Sequence, residues 1–185
     1  MDRRRHVCHH GEVEAVSQAE RDEPLCDCGV AMIADGPQAA VVGAWRSPGD
    51  VFAGLKGDWK LLRRLDGRGW MQGTATFSDG ADGNLAYHER GRVRLDAQEF
   101  EAERKYVFAA RPAGFAVYFA ETPLRLFHEV ELTRADGTLS GQASHLCAAD
   151  LYRSRYAFLP DGRFTIDHEV KGPRKGYLLS TMFAR

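Results

Sequence analysis

At 185 residues with 44% hydrophobic content, the chain is sized for one core with a short appendage. A net charge of −1 excludes the broad basic surface that a phosphate backbone demands, and no apolar run approaches the roughly 20 residues of a membrane span. Neither nucleic acid nor a membrane is expected as a partner.

Residues 1–37 are rich in charge, poor in aromatics and without sustained periodicity, so they are expected to form a disordered tail ahead of a barrel domain at 38–185. Arg3-Arg4-Arg5 is followed by His6 and Cys8 rather than an apolar stretch, which is not the pattern of a secretory signal. Met32 is an alternative start, because the organised pattern begins soon after it. The cysteines, Cys8, Cys26, Cys28 and Cys147, make no disulfide framework, and a cytoplasmic setting is expected. Cys8-His9-His10 and Cys26-x-Cys28 carry soft ligands, but the one-residue spacing is unlike a zinc knuckle, so no metal site is assigned.

Ser47-Pro48-Gly49-Asp50 predicts a helix start, with Ser47 as cap and Pro48 at the first helical position. Val51, Phe52 and Leu55 give the short helix an apolar side, and Gly57 ends it. From Trp59 the hydrophobic period changes to two. Strands are predicted at 58–65, 70–78, 84–94, 99–110, 114–120, 124–133, 138–147, 150–159, 162–171 and 176–184. Asp66-Gly67, Asp79-Gly80, Asp136-Gly137 and Pro160-Asp161-Gly162 supply turn chemistry between them. Short connections and the lack of a crossover helix predict an all-β fold: a closed antiparallel meander barrel of about ten strands with a short N-terminal helix. A two-sheet sandwich is the alternative.

Alternation then assigns faces. His128 falls on the apolar face with Leu124, Leu126, Val130 and Leu132, opposite Phe127. His168 goes inward with Phe164, Ile166 and Val170. Asp150 and Tyr152 go inward with Tyr156 and Phe158, and Arg104 and Tyr106 with Phe100 and Phe108. Tyr87 and Glu89 are favoured over His88 and Arg90 as the internal pair. His145 and Cys147 join the inward set if Ala148-Ala149 is a turn or bulge. Arg104 is expected to pair with Glu89 or Asp150. Unpaired polar groups in a core are costly, so the set forms a satisfied polar core or lines a pocket. Tyr106, Phe108, Phe115, Phe119, Phe158 and Phe164 are the expected aromatic walls. Arg174 and Lys175, in the turn Gly172-Pro173-Arg174-Lys175, would attract a carboxylate or phosphate if that turn sits at the pocket mouth; otherwise they are a solvated hairpin tip.

Gly57-x-Trp59 at the first strand and Arg185 in the last resemble the calycin, or lipocalin-like, barrel. That resemblance implies a late arginine packed on the indole. Further phrases are Tyr87-x-Glu89-x-Gly91, Arg104-x-Tyr106, Phe127-His128, His145-x-Cys147-x-x-Asp150-x-Tyr152 and Gly172-Pro173-Arg174-Lys175-x-Tyr177. With Leu55-x-Gly57-x-Trp59 and Arg63, they cover about residues 55–185 and resemble an uncharacterised bacterial domain family of calycin-like proteins. The resemblance implies a container fold and no particular activity.

The expected function is binding of a small, partly polar molecule. The candidate site residues are Glu89, Arg104, Tyr106, His128, His145, Asp150, Tyr152, His168, Arg174 and Lys175. No nucleophile motif or phosphate-binding loop is present, so an enzyme using these groups for acid–base chemistry is the runner-up. A haem-binding barrel is a third possibility. The sequence assigns no cofactor.

Overall fold

The computed structural model describes residues 45–185 and the backbone of Glu14–Ala15. The rest of the predicted tail, including Met32 and the Cys/His pairs, lies outside the described residues. Helix α1 runs Pro48–Leu55, with Pro48 at its start and the Ser47 hydroxyl accepting a 3.1 Å hydrogen bond from the Asp50 amide. Val51 and Leu55 are its buried side. Gly57 has φ +117, a region that disfavours any side chain, and turns the chain into β2 (Gly57–Leu65).

Trp59 is buried, and its indole N–H donates to the Leu55 carbonyl at 2.8 Å. The Arg185 guanidinium lies 4.3 Å from the indole ring centre. Its Nη2 also donates to the carbonyls of Gly54 (2.7 Å) and Lys56 (3.0 Å), satisfying groups the helix end leaves over. Trp45 also stacks on Trp59, with ring centres 6.2 Å apart. Because Arg185 is exposed, replacing it by Ala is expected to cost only about 1 kcal/mol. Denaturant unfolding should show a lower midpoint with an unchanged slope; an unchanged midpoint would mean that the stacking does not contribute.

The strands after β2 are β3 (Gly69–Asp79), β4 (Leu85–Leu95), β5 (Gln98–Arg111), β6 (Gly114–Phe119), β7 (Arg125–Glu131), β8 (Thr133–Ala135), β9 (Thr138–Cys147), β10 (Asp150–Phe158), β11 (Phe164–Lys171) and β12 (Gly176–Ala184). All ladders are antiparallel, in the order β7-β6-β5-β4-β3-β2-β12-β11-β10-β9-β8. Glu14–Ala15, β1, pairs with Glu103 and Ala102 of β5. The result is an all-β meander of eleven strands, β2–β12, wound into a nearly closed barrel. Asp66-Gly67 and Asp136-Gly137 have the paired positive φ angles of tight hairpin turns (44° and 73°; 48° and 77°). In the β3–β4 connection the positive φ angles fall on Asp82 and Gly83, not on the predicted Asp79-Gly80. Ala148 and Ala149 form a two-residue turn that pairs Cys147 with Asp150, so both flanking sets face the same way. Cys147 is disulfide-bonded.

Two departures shape the interior. The predicted strand at 124–133 divides near Leu132: β7 pairs with β6, whereas β8 pairs with β9. This switch of partner carries the sheet round to closure. Within β7 the register shifts, with Val117 opposite His128 but Tyr118 opposite Leu126. Phe127 is the extra residue of this bulge, so both Phe127 (5% exposed) and His128 (4%) are buried. Leu124 and Leu126, expected inside by alternation, are instead 48% and 44% exposed.

Candidate functional site

The barrel is filled in layers. At the helix end, aromatic rings pack from β2, β3, β5, β6 and β10–β12. Phe164 alone stacks on Phe183 at 4.3 Å and meets Trp59 edge-on at 4.8 Å. Phe108, Phe115, Phe158 and Phe164 belong to this core end and do not line the cleft described below. The polar residues begin one layer further along.

Arg63 shares its face with Trp59 and Leu61, so β2 delivers it inward. Arg63 stands opposite Met71 of β3, and the next inward residues of that strand, before Phe77, are only Gly73 and Ala75. That low stretch lets the arginine reach across β3 to Glu89 on β4. The pair is bidentate, 2.6 Å from Nη1 to Oε1 and 2.7 Å from Nη2 to Oε2, and both side chains are at most 5% exposed. Arg63 Nε also donates to Thr181 Oγ1 at 2.8 Å, and the Tyr87 hydroxyl donates to Glu89 Oε2. Arg104, directly across the β4–β5 ladder from Glu89, brings its Nε only to 3.8 Å. Burial opposes ionisation of Glu89, but Arg63 and Arg104 outweigh it and bring the carboxyl down to about 2. Two guanidiniums therefore share one carboxylate.

The imidazoles do not add charge. Burial is the main cause that lowers His128 to about 3, assisted by nearby His145. Burial also lowers His168 well below its ordinary value, with Arg104 and Arg63 next in effect. His168 is only half-buried by surface because it borders a cleft, yet the barrel surrounds it. His128 Nε2 is 2.8 Å from the Tyr156 hydroxyl, and His168 Nδ1 is 2.9 Å from Ser154 Oγ. His128 Nδ1 has no hydrogen-bond partner among the described residues. Burial raises Tyr87, Tyr106 and Tyr156, which stay protonated.

Above this layer a cleft opens at the end of the barrel away from the helix. It is lined by Arg104, Tyr106, Phe127, Tyr152, His168, Val170, Tyr177 and Leu179. Its cavity volume is about 20 Å³, room for a water or two, and it widens into open solvent. At the rim Lys175 pairs with Asp150 at 3.0 Å and lies 3.4 Å from the Tyr152 hydroxyl. The Asp150 contact is the main cause that raises the Lys175 ammonium. A Cβ on Gly172 would sit 1.8 Å from Asp150 Oδ1, so this turn accepts only glycine there if Asp150 keeps its place.

The structure therefore brings four of the predicted site residues to one cleft: Arg104, Tyr106, Tyr152 and His168. Glu89 lies beneath them, paired as described. His128 is sealed against Tyr156, and His145 packs edge-on to Phe127 at 5.4 Å and hydrogen-bonds its backbone. Asp150 and Lys175 neutralise each other at the rim, and Arg174 is exposed on the turn. Sequence reasoning left out Phe127, Val170, Tyr177 and Leu179 of the cleft, and Arg63 in the layer beneath it. Arg63 had a usable signal, its place on the apolar face of β2. Phe127 had none, because a bulge leaves no mark on alternation. No group of three or more His, Cys, Asp or Glu residues is placed to hold a metal ion among the described residues.

A family model described as "Family of unknown function (DUF6314)" matches residues 55–185. No curated protein matches the chain. Two solved structures are similar over most of their length. One is a redesigned β-barrel, mFAP1, bound to DFHBI, with 14% identity over 71% of this chain and 94% of that one, at a TM-score of 0.35. The other is EF1p2_mFAP2b bound to DFHBI, with 12% identity over 72% and 96%, at 0.37. At those scores the likeness carries no argument about this chain.

Proposed function

This chain belongs to the DUF6314 family of unknown function, and from that premise we propose that it binds a small, partly polar molecule at the open end of its barrel. The carrying observation is the convergence of Arg104, Tyr106, Tyr152 and His168 on one cleft above a layer whose charges are tied down. Aromatic walls with a few directed polar groups are the usual make-up of a ligand pocket. The stacking of Arg185 on Trp59 supports a calycin-like reading of the same barrel. The enclosed space is smaller than the roughly 300–1,000 Å³ of pockets for drug-sized ligands, so the ligand either is small or enters only in part. Of the acid–base groups of an enzyme reading, Tyr152 and His168 border the cleft, whereas His128, His145 and Asp150 do not.

Mass spectrometry of molecules released from the purified full chain tests this proposal. An organic molecule should be retained, and Tyr152→Phe should reduce its retention roughly tenfold while the barrel stays folded, because Tyr152 borders the cleft and phenylalanine keeps its ring. If no molecule is retained or binds on addition, and Tyr152→Phe changes only stability, the polar set is a satisfied core and the proposal fails.

A further inference from the structure

We propose that the ligand is a small organic monoanion, a carboxylate on a flat apolar body, and that the Arg104 guanidinium receives it. This rests on the ligand-binding proposal above and goes further, to the chemical class. The argument begins with a charge count. Arg63, Arg104 and Glu89 are enclosed by the barrel, and they sum to one unpaired positive charge. Among the described residues no other interior group cancels it: Tyr87 and Tyr106 are protonated, and His128 and His168 are neutral near pH 7.

Geometry shows which arginine carries the excess. Both oxygens of Glu89 are taken by Arg63 in a closed fork, and Tyr87 adds a third donor to one of them. Arg104 comes no nearer than 3.8 Å, beyond hydrogen-bond length. The tyrosines that also act on it, Tyr87, Tyr106 and Tyr177, are all raised and neutral. Arg104 borders the cleft, whereas Arg63 does not. An enclosed guanidinium without its own counter-ion is costly to folding. A planar fork of donors in a cleft matches a carboxylate in shape and charge. One negative charge brings the interior to neutrality; a phosphate dianion would overshoot it.

The rest of the cleft describes the body of the ligand. Tyr106, Phe127, Tyr152 and Tyr177 present ring surface, and Val170 and Leu179 complete an apolar wall. The enclosed part holds little more than a head group, so the ring or short acyl body would lie in the open part. The rim does not compete for the anion, because Asp150 already neutralises Lys175.

The test is a paired titration of the full chain with benzoate and its uncharged isostere benzamide, by calorimetry and by shift of the thermal midpoint. Benzoate should bind at least tenfold more tightly, and raised salt should weaken only benzoate. Arg104→Met should abolish the preference while leaving the thermal midpoint unchanged or higher, since the variant leaves Arg63 and Glu89 as a neutral pair. Equal binding of the two probes would overturn the anion assignment and leave the ligand-binding proposal standing. Failure of both probes would sink the anion assignment; absence of any retained molecule as well would sink the pocket. A lower midpoint in Arg104→Met with an unchanged benzoate preference would make Arg104 a structural residue. The wild-type comparison decides the charge question even if that variant does not fold.

Discussion

Glu89→Gln is expected to be the most damaging conservative substitution in the barrel, with a loss of about 3–5 kcal/mol in unfolding free energy. The side chain keeps its size, so the loss is electrostatic. In the native protein Glu89 accepts two hydrogen bonds from Arg63 and one from Tyr87, and among the described residues it is the carboxylate that pairs with Arg104. Glutamine leaves two enclosed guanidiniums facing each other with no counter-ion. It also places an amide N–H₂ where an acceptor is required, so at least one donor loses its partner. Arg63→Met is expected to cost less, because the remaining Glu89 and Arg104 still balance. Parallel urea titrations of the two variants check the ranking. Equal losses would mean that the hydrogen bonds, not the charge balance, set the cost.

Acid is expected to unfold the protein from well above the usual carboxylate range, beginning near pH 6.5. The sign follows from the direction of each shift. His128 titrates at its ordinary 6.5 when unfolded and at about 3 when buried. Between those values the unfolded chain binds a proton that the folded chain refuses, so stability falls as pH falls, by roughly 1.4 kcal/mol per pH unit for one group. His168, also shifted down, acts in the same direction. Glu89, at an ordinary 4.5 unfolded and about 2 folded, joins below pH 4.5. The contribution of Glu89 is fully present above 4.5 and is lost towards 2. The loss attributable to His128 over its window is on the order of 5 kcal/mol. His128→Gln retains a partner for the Tyr156 hydroxyl and cannot take up the proton. Its stability at pH 7 should drop modestly, and its decline between pH 6.5 and 4.5 should be shallower than that of the natural chain. Identical slopes in the two proteins would show that His128 is not the titrating group.

The sequence alone was sufficient for the fold because nearly all of its information is local. A period of two from Trp59 onward, Asp-Gly turns between the runs, and the lack of a crossover helix specify hairpins that pair in chain order. Ser47 and Pro48 marked the helix start, and the parity of Glu89, Arg104, Tyr106, Tyr152 and His168 placed each on an inner face. Alternation supplies the side of a strand, however, and neither depth along the barrel nor partner. The tertiary structure alone decided that Phe108, Phe115, Phe158 and Phe164 fill the core end, that Phe127 enters through a bulge, and that Asp150 is occupied by Lys175 at the rim. It also decided that Glu89 belongs to Arg63, across a strand whose inward residues there are glycine and alanine. That choice leaves Arg104 with the excess charge. The physical reason is that pairing inside a barrel depends on the heights of side chains from different strands and on which intervening residues are small, and register and closure set these together.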